Sequence, residues 1–332
     1  MKLKAGYTFD DVLLVPKYST IKSRSNIDLS VDLGKIKLRI PIISANMKNI
    51  TEVAMAKVIA DLGGLALLHR FLPYKEILVL FQNIEPHYRA FVGCSVGIQD
   101  KDKDFITILA AKGCNILCID VAHANNKYPI DFIKWAAKEF PNLLLIAGNV
   151  ATREGVLRLA DVGVDVVKCG IGPGSLCSTR VRTGNGVPQL TALEDCYLAA
   201  KEKGIKIIAD GGCKNSGDLV KSLCFSNAVM TGSLLAGTDE APGELISIEG
   251  KTYKQYAGSS TLKSNYVEGV SGFVACKGPV KKVVQDLLEG IRSGLSYQGA
   301  NNLEELREDP EFILVSQAGL VENHPHNIFL KS

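Results

Sequence analysis

The sequence predicts a (β/α)8 barrel, and three observations lead there. From residue 41 onward, short β-rich runs alternate with amphipathic helical stretches, the order that gives parallel strands joined by crossover helices. The strand-like runs number eight. No G-x-G-x-x-G follows an early strand, so the dinucleotide fingerprint of the competing open, doubly wound sheet is missing.

The eight runs are IPIIS (40–44), LALLH (65–69), AFVGCSV (90–96), ILCIDV (116–121), LLLIAG (143–148), VVKCG (166–170), IKIIAD (205–210) and AVMTG (228–232). Between them EVAMAKVIADLG, DFITILAAKG, DFIKWAAKEF, TREGVLRLADVG and TALEDCYLAAKEKG read as helices, several closed by the glycine that commonly ends one. The run DKDKD at 100–104 reads as a solvated first helical turn rather than a metal site, because carboxylates favour that end of the helix dipole. Two stretches break the repeat: a loop at 171–188, and a segment at 236–278 that precedes the helix PVKKVVQDLLEGIRSG. Insertions at the catalytic face of a barrel are lids or substrate loops. Residues 1–332 are therefore expected to form one barrel domain with an active-site loop at 171–188 and a lid or flap at 236–278.

Composition narrows the function. With 332 residues, 46% hydrophobic and 22% charged, the chain can bury a large core without staples. The 38 basic and 35 acidic residues are well mixed and leave a net charge of +3, with no basic stripe to neutralise a phosphate backbone, so nucleic acid is not an expected partner. The N-terminus MKLKAGYTFDDVLLVP has no uninterrupted apolar region before a cleavage site, and no apolar run approaches a membrane span. Nine scattered cysteines without a C-x-x-C pair read as reduced thiols, which together with the missing signal gives a cytoplasmic expectation.

A barrel carries its chemistry at the carboxyl ends of its strands. There the sequence places Asn46 and Met47, His69 and Arg70, Ser95, Asp120 and His123, Asn149, Asp210-Gly211-Gly212 and Gly232-Ser233. The most specific stretch is GIGPGSLCSTR (170–180), where glycines and a proline precede a cysteine followed by two hydroxyls and an arginine. Glycines let backbone approach a ligand closely, and a cysteine on such a loop has the exposure a nucleophile needs. Cys177 is accordingly read as a covalent nucleophile and the other eight cysteines as small buried hydrophobes. The glycines after strands seven and eight stand where barrels bind phosphate through backbone amides, with Asp210 able to accept from ribose hydroxyls. With tight turns the alternative, the fall of Asp210, Gly211, Gly212, Gly232 and Ser233 at adjacent strand ends favours a phosphorylated ligand, a sugar phosphate or nucleotide. Asp120 and His123 are placed to shape a cofactor site, with a structural histidine the alternative. His324-Pro-His326 has no further ligands at zinc spacing.

Taken in order, TFDDVLLVP (8–16), AGNV (147–150), GIGPGSLCSTR, VPQLTAL (187–193), ADGG (209–212), GSLLAGTDEAPGE (232–244) and GIRSGLSYQGA (290–300) resemble the IMP dehydrogenase and GMP reductase family over nearly the whole chain. The resemblance implies a homotetrameric enzyme in which the Cys177 thiolate adds to C2 of a purine nucleoside monophosphate, forming a thioimidate, while hydride moves between C2 and a nicotinamide. It implies that Ser175, Gly212, Gly232, Ser233 and Tyr256 meet the phosphate, Asp210 the ribose, and Met47 with Gly258, Ser259 and Ser260 the base. The carbonyls of Gly172, Gly174 and Cys177 match a monovalent-cation site, expected to hold potassium.

The dehydrogenase branch requires a mobile flap bearing an Arg-Tyr pair. Between Ser260 and Glu268 stands only TLKSNYV, too short for such a flap at about 3.5 Å per residue. The regulatory pair usual after the second strand is also missing, as LLHRFLPYKE runs straight into a helix. Both features resemble the reductase branch, which deaminates GMP to IMP with NADPH, and Thr179 with Glu268 match its proton relay. Arg70 and Lys127 are candidates to read the 2′-phosphate of that cofactor. In the other direction, LVENHPHNIFLKS, GTDEAPGE and IRSGLSYQGA look more like bacterial dehydrogenases. GMP reductase is the expected activity. An IMP dehydrogenase using Lys263 and Tyr266 in a divergent flap, and a catalytically silent nucleotide sensor, are the alternatives.

Overall fold

The structure is a computed structural model that describes residues 1, 3–258 and 269–323. Every one of the eight runs holds a strand: β1 (Ile42–Ser44), β2 (Leu65–Leu68), β3 (Val92–Val96), β4 (Ile116–Asp120), β5 (Leu144–Val150), β6 (Val166–Cys169), β7 (Lys206–Asp210) and β8 (Ala228–Thr231). They pair in parallel in sequence order, β8 returns to β1, and the sheet closes as a barrel. Closure buries these strands on both faces, which is why they are apolar along their length instead of alternating. The fifth strand runs two residues further than its apolar run, with a register shift against β6 between Gly148 and Val150. Asn149 sits in that irregularity, at the carboxyl end of the barrel.

The crossover helices are α1 (Val53–Leu62), α2 (Tyr74–Gln82), α3 (Asp100–Ala111), α4 (Lys127–Glu139), α5 (Arg153–Asp161), α6 (Gln189–Lys203), α7 (Ser216–Leu223) and α8 (Val280–Gln298). Their apolar stripes follow the helical period: in α8 the buried residues are Val280, Val284, Leu287, Leu288, Ile291 and Leu295. Burying each such side chain contributes about 1.5–3 kcal/mol. Glycines end α1 and α6 in the left-handed conformation, at φ 88° for Gly63 and 68° for Gly204. DKDKD does open α3, but Asp102 within it is buried rather than solvated: its carboxylate accepts from the backbone N–H of Gln99 at 2.7 Å and from the Tyr74 hydroxyl at 2.8 Å.

The 236–278 segment contains a three-stranded antiparallel arm, β9 (Leu245–Ile248), β10 (Lys251–Ala257) and β11 (Ser271–Ala275), with β10 in the middle. Its anchor is Lys254, 7% exposed, whose ammonium donates to the carbonyls of Thr238 (2.7 Å), Ala241 (2.9 Å) and Asp239 (3.1 Å). Near the chain ends, Val12–Leu14 pairs antiparallel with Phe312–Leu314. No helix among the described residues is long and apolar enough to cross a membrane.

Seven of the nine cysteines are buried, but Cys276 joins Cys177 in being exposed. That departs from the expectation of eight buried thiols. Cys276 follows the last strand of the arm, whose residues alternate between exposed and half-buried, rather than lying in the barrel core.

Candidate active site

At the carboxyl end of the barrel a chain of charges crosses the mouth. Lys168, on β6, is 1% exposed; its Nζ lies 2.9 Å from Oδ2 of Asp210 at the end of β7 and 3.3 Å from Oδ1 of Asp120 at the end of β4. The other Asp120 oxygen faces Arg70 Nε at 3.3 Å. Asn149 Nδ2 donates to Asp210 Oδ2 at 2.9 Å and to the Gly170 carbonyl at 2.8 Å. A buried lysine is tolerated only when paired. Burial alone would strip its proton, yet the Asp210 and Asp120 carboxylates hold its proton affinity above the ordinary range. Burial would likewise push Asp120 up, but the Lys168 ammonium and then the Arg70 guanidinium leave it below the usual carboxylate value. Lys168 and Asp120 are therefore both held in their charged forms at this mouth.

The 171–188 loop leaves β6 through Gly170 at φ 147°, where a Cβ would lie 2.3 Å from the Asp210 carbonyl oxygen. Only glycine meets both demands. Gln189, 2% exposed, donates from Nε2 to the carbonyl of Cys169 at 3.0 Å, tying the loop's exit to its root. Arg180 packs beneath, in contact range of Gly172 and Gly186, and donates to the Val187 carbonyl at 2.6 Å. Inside the loop the Cys177 N–H donates to the Gly174 carbonyl at 3.0 Å. The exposed Cys177 Sγ lies 3.1 Å from Oγ1 of Thr179, the first residue of the short helix Thr179–Thr183.

The arm delivers Tyr256, 5% exposed, with its hydroxyl 3.4 Å from Ser175 Oγ. Burial pushes its phenol above the ordinary value, so it stays a neutral donor. A Cβ on Gly232 would stand 3.1 Å from that hydroxyl and 3.0 Å from Met47 Sδ, so Met47, Ser175, Gly232 and Tyr256 meet around one spot. Gly211 lies against the backbone of Gly174, and Gly212 against Gln189 and Phe9. Ser233 offers its carbonyl to Lys277 Nζ at 2.9 Å. The arm is also sewn to the cysteine loop: Val270 N–H donates to the Leu176 carbonyl (3.1 Å) and Gly269 N–H to Ser178 Oγ (2.7 Å). Gly258 N–H donates to the Val270 carbonyl at 2.9 Å, next to the paired ends of β10 and β11.

Of the residues expected in the site, Ser259, Ser260 and Glu268 lie outside the described residues, as do Lys263, Tyr266, His324 and His326. His123 is exposed on the loop beyond β4, whereas Asp120 is turned into the charge chain. Arg70 pairs with Asp120, and Lys127 pairs with Asp131 one turn along α4. Sequence reasoning missed Lys168, Arg180 and Gln189. For Lys168 a signal was present: a lysine inside the apolar run VVKCG has to be paired if the run is a barrel strand.

The model of the IMP dehydrogenase / GMP reductase domain family matches residues 6–326. An inosine-5′-monophosphate dehydrogenase of Nitrosopumilus maritimus is 33% identical, covering 99% of this chain and 100% of the relative. One from Staphylococcus aureus strain Mu50 is also 33% identical, over 98% of this chain and 96% of the relative. The Nitrosopumilus alignment runs over 475 positions against the 332 residues here, so that relative carries a long insertion this chain lacks. Among solved structures, a cysteine-to-alanine variant of GMP reductase from Trypanosoma brucei in complex with guanosine 5′-monophosphate superposes with a TM-score of 0.93 at 26% identity, covering 98% of this chain and 99% of its own.

Proposed function

The chain belongs to the IMP dehydrogenase / GMP reductase family, and within it we propose that this protein is the reductase, converting GMP to IMP and ammonia with NADPH. The carrying observation is the spacing between β10 and β11. Gly258 N–H donates to the Val270 carbonyl, and only eleven residues separate the two in sequence, too few for the long flap that hydrolysis of a thioimidate needs. The T. brucei reductase with GMP in place supports the same reading.

In that reaction Cys177 Sγ bonds to C2 of the nucleotide and the C2 amine leaves as ammonia. The departing nitrogen needs a proton, and the Thr179 hydroxyl beside the sulfur, with Glu268, carries it. NADPH, when bound, supplies the hydride that C2 takes up as the carbon–sulfur bond breaks, freeing IMP and the thiolate. Ser175, Gly212, Gly232, Ser233 and the neutral Tyr256 hydroxyl hold the phosphate, Asp210 the ribose, and Met47 with Gly258, Ser259 and Ser260 the base. The mouth has a second side for the cofactor, because β4 stands opposite β8 in the eight-strand order. There Asp120, Arg70 and His123 would hold NADPH, their fit resting on the Asp120 carboxylate kept anionic beside Arg70. The carbonyls of Gly172, Gly174 and Cys177 lie within one loop and would hold potassium, with the enzyme working as a cytoplasmic homotetramer.

A second reading, NAD-dependent oxidation of IMP to XMP, is favoured by the two dehydrogenases at 33% identity. Purified protein supplied with GMP and NADPH is expected to consume NADPH and release ammonia and IMP. XMP formed from IMP and NAD, with no ammonia from GMP, would establish the dehydrogenase instead.

A further inference from the structure

One member of the charge chain has no role in the chemistry above. Lys168 is 1% exposed and its ammonium sits between two carboxylates that serve different ligands in the proposed function: Asp210 toward the nucleotide, 2.9 Å away, and Asp120 toward the cofactor, 3.3 Å away. Without a cation between them, two carboxylates this close in a barrel mouth do not both stay charged; one takes up a proton or swings aside. Arg70 is on the far oxygen of Asp120, and Asn149 is neutral, so neither replaces the ammonium at the shared position. A Cβ on Gly148, the neighbour of Lys168 on β5, would stand 2.6 Å from Lys168 Cβ, so the glycine there leaves room for the lysine stem.

We propose that Lys168 is a positioning residue that lets two carboxylates serve adjacent subsites at once, holding Asp210 out to the nucleotide ribose and Asp120 out to the cofactor. It touches neither ligand and acts through the two aspartates. The inference rests on the reading of Asp210 and Asp120 as nucleotide and cofactor contacts, and it does not depend on which of the two reactions the enzyme performs.

The groups facing the ammonium are Asp120 and Cys118 from β4, Asp210 from β7 and the Met230 sulfur from β8, with Arg70 behind Asp120. Burial pushes the Cys118 thiol to about 12, so it stays neutral in ordinary buffers and the two carboxylates are the groups whose protonation changes when the lysine goes. Lys168→Met keeps an unbranched stem and removes the charge. The Lys168→Met/Asp120→Asn double variant removes one charge of each sign and leaves Asp210 with Asn149 and no rival carboxylate.

Calorimetric titration tests this without turnover: GMP and IMP into the protein, then NADPH and NADH into the IMP-saturated protein, each at pH 6 and 8.5. Lys168→Met is expected to weaken both nucleotide and dinucleotide at least tenfold, with the loss larger at pH 6. The double variant is expected to regain nucleotide affinity to within about threefold of the parent while dinucleotide binding stays weak, because the rival carboxylate is gone. A lysine that merely fills space would give neither the pH dependence nor the recovery. Binding of both ligands within twofold of the parent, weakening of only one of them, or a double variant no better than the single would overturn the proposal. Should Lys168→Met not fold, the double variant is compared with Asp120→Asn alone; equal nucleotide affinity upholds the proposal, and a tenfold deficit in the double variant refutes it. Production of XMP in the activity assay would sink the reductase reading and leave this result standing.

Discussion

Cys177→Ala is expected to abolish turnover, by about 10⁴-fold or more, while the nucleotide still binds. In the proposed reaction the sulfur is the atom that bonds to C2, and its neighbour Thr179 offers only a hydroxyl, a far weaker nucleophile at neutral pH. The nucleotide contacts are carried elsewhere, by Tyr256 from the arm, Ser175, and the backbone around Gly211 and Gly232. Truncating one exposed thiol leaves those elements in place, since the loop is held at both ends by Gln189 and by the Val270 and Gly269 amides. Calorimetry with GMP beside a sensitive ammonia assay separates the two effects. Residual turnover within tenfold of the parent would remove Cys177 from the chemistry, and loss of binding together with activity would mean that the loop had collapsed.

The second large effect is expected at Thr179. Thr179→Val keeps the shape of the side chain and deletes its hydroxyl, so kcat should fall about 100-fold, at the lower end of what general acid–base catalysis provides. KM for the nucleotide should move by no more than about threefold, because the hydroxyl acts on the departing nitrogen and not on phosphate or ribose. Thr179→Ser keeps the hydroxyl and should retain most of the activity. Steady-state kinetics on the three proteins decide the matter. A rise in KM with kcat unchanged would make Thr179 a binding residue, and an equally inactive serine variant would make the methyl group, not the hydroxyl, the important part.

The barrel was legible because closure buries its strands on both faces, and strands buried in that way appear in sequence as short apolar runs whatever the ligand at the mouth. The glycine-rich loop was legible for a related reason: Gly170 must have positive φ where backbone passes backbone, a demand that leaves its mark on residue type. The arm was legible only as an insertion. Its outer strands are short and largely exposed, so β9 and β11 carry no apolar period, and its position depends on one lysine reaching three distant carbonyls. The charge chain was half legible. Asp120 and Asp210 stood at strand ends, where function was sought, but Lys168 lies one residue inside its strand and finds its partners only when β4, β6 and β7 curve around a common axis. Cys276 failed for the opposite reason: it adjoins a valine-alanine run and reads as core, yet the run belongs to the arm.

The burial of seven thiols and the exposure of two give the protein a built-in active-site titration. In native buffer an alkylating reagent meets Cys177 and Cys276, and in unfolding buffer it meets all nine thiols, so intact mass alone distinguishes a closed fold from an open one. With Cys276 changed to serine, a single adduct per chain counts working sites, and protection of that adduct by a nucleotide measures occupancy for any purine monophosphate, including those the enzyme binds but does not convert.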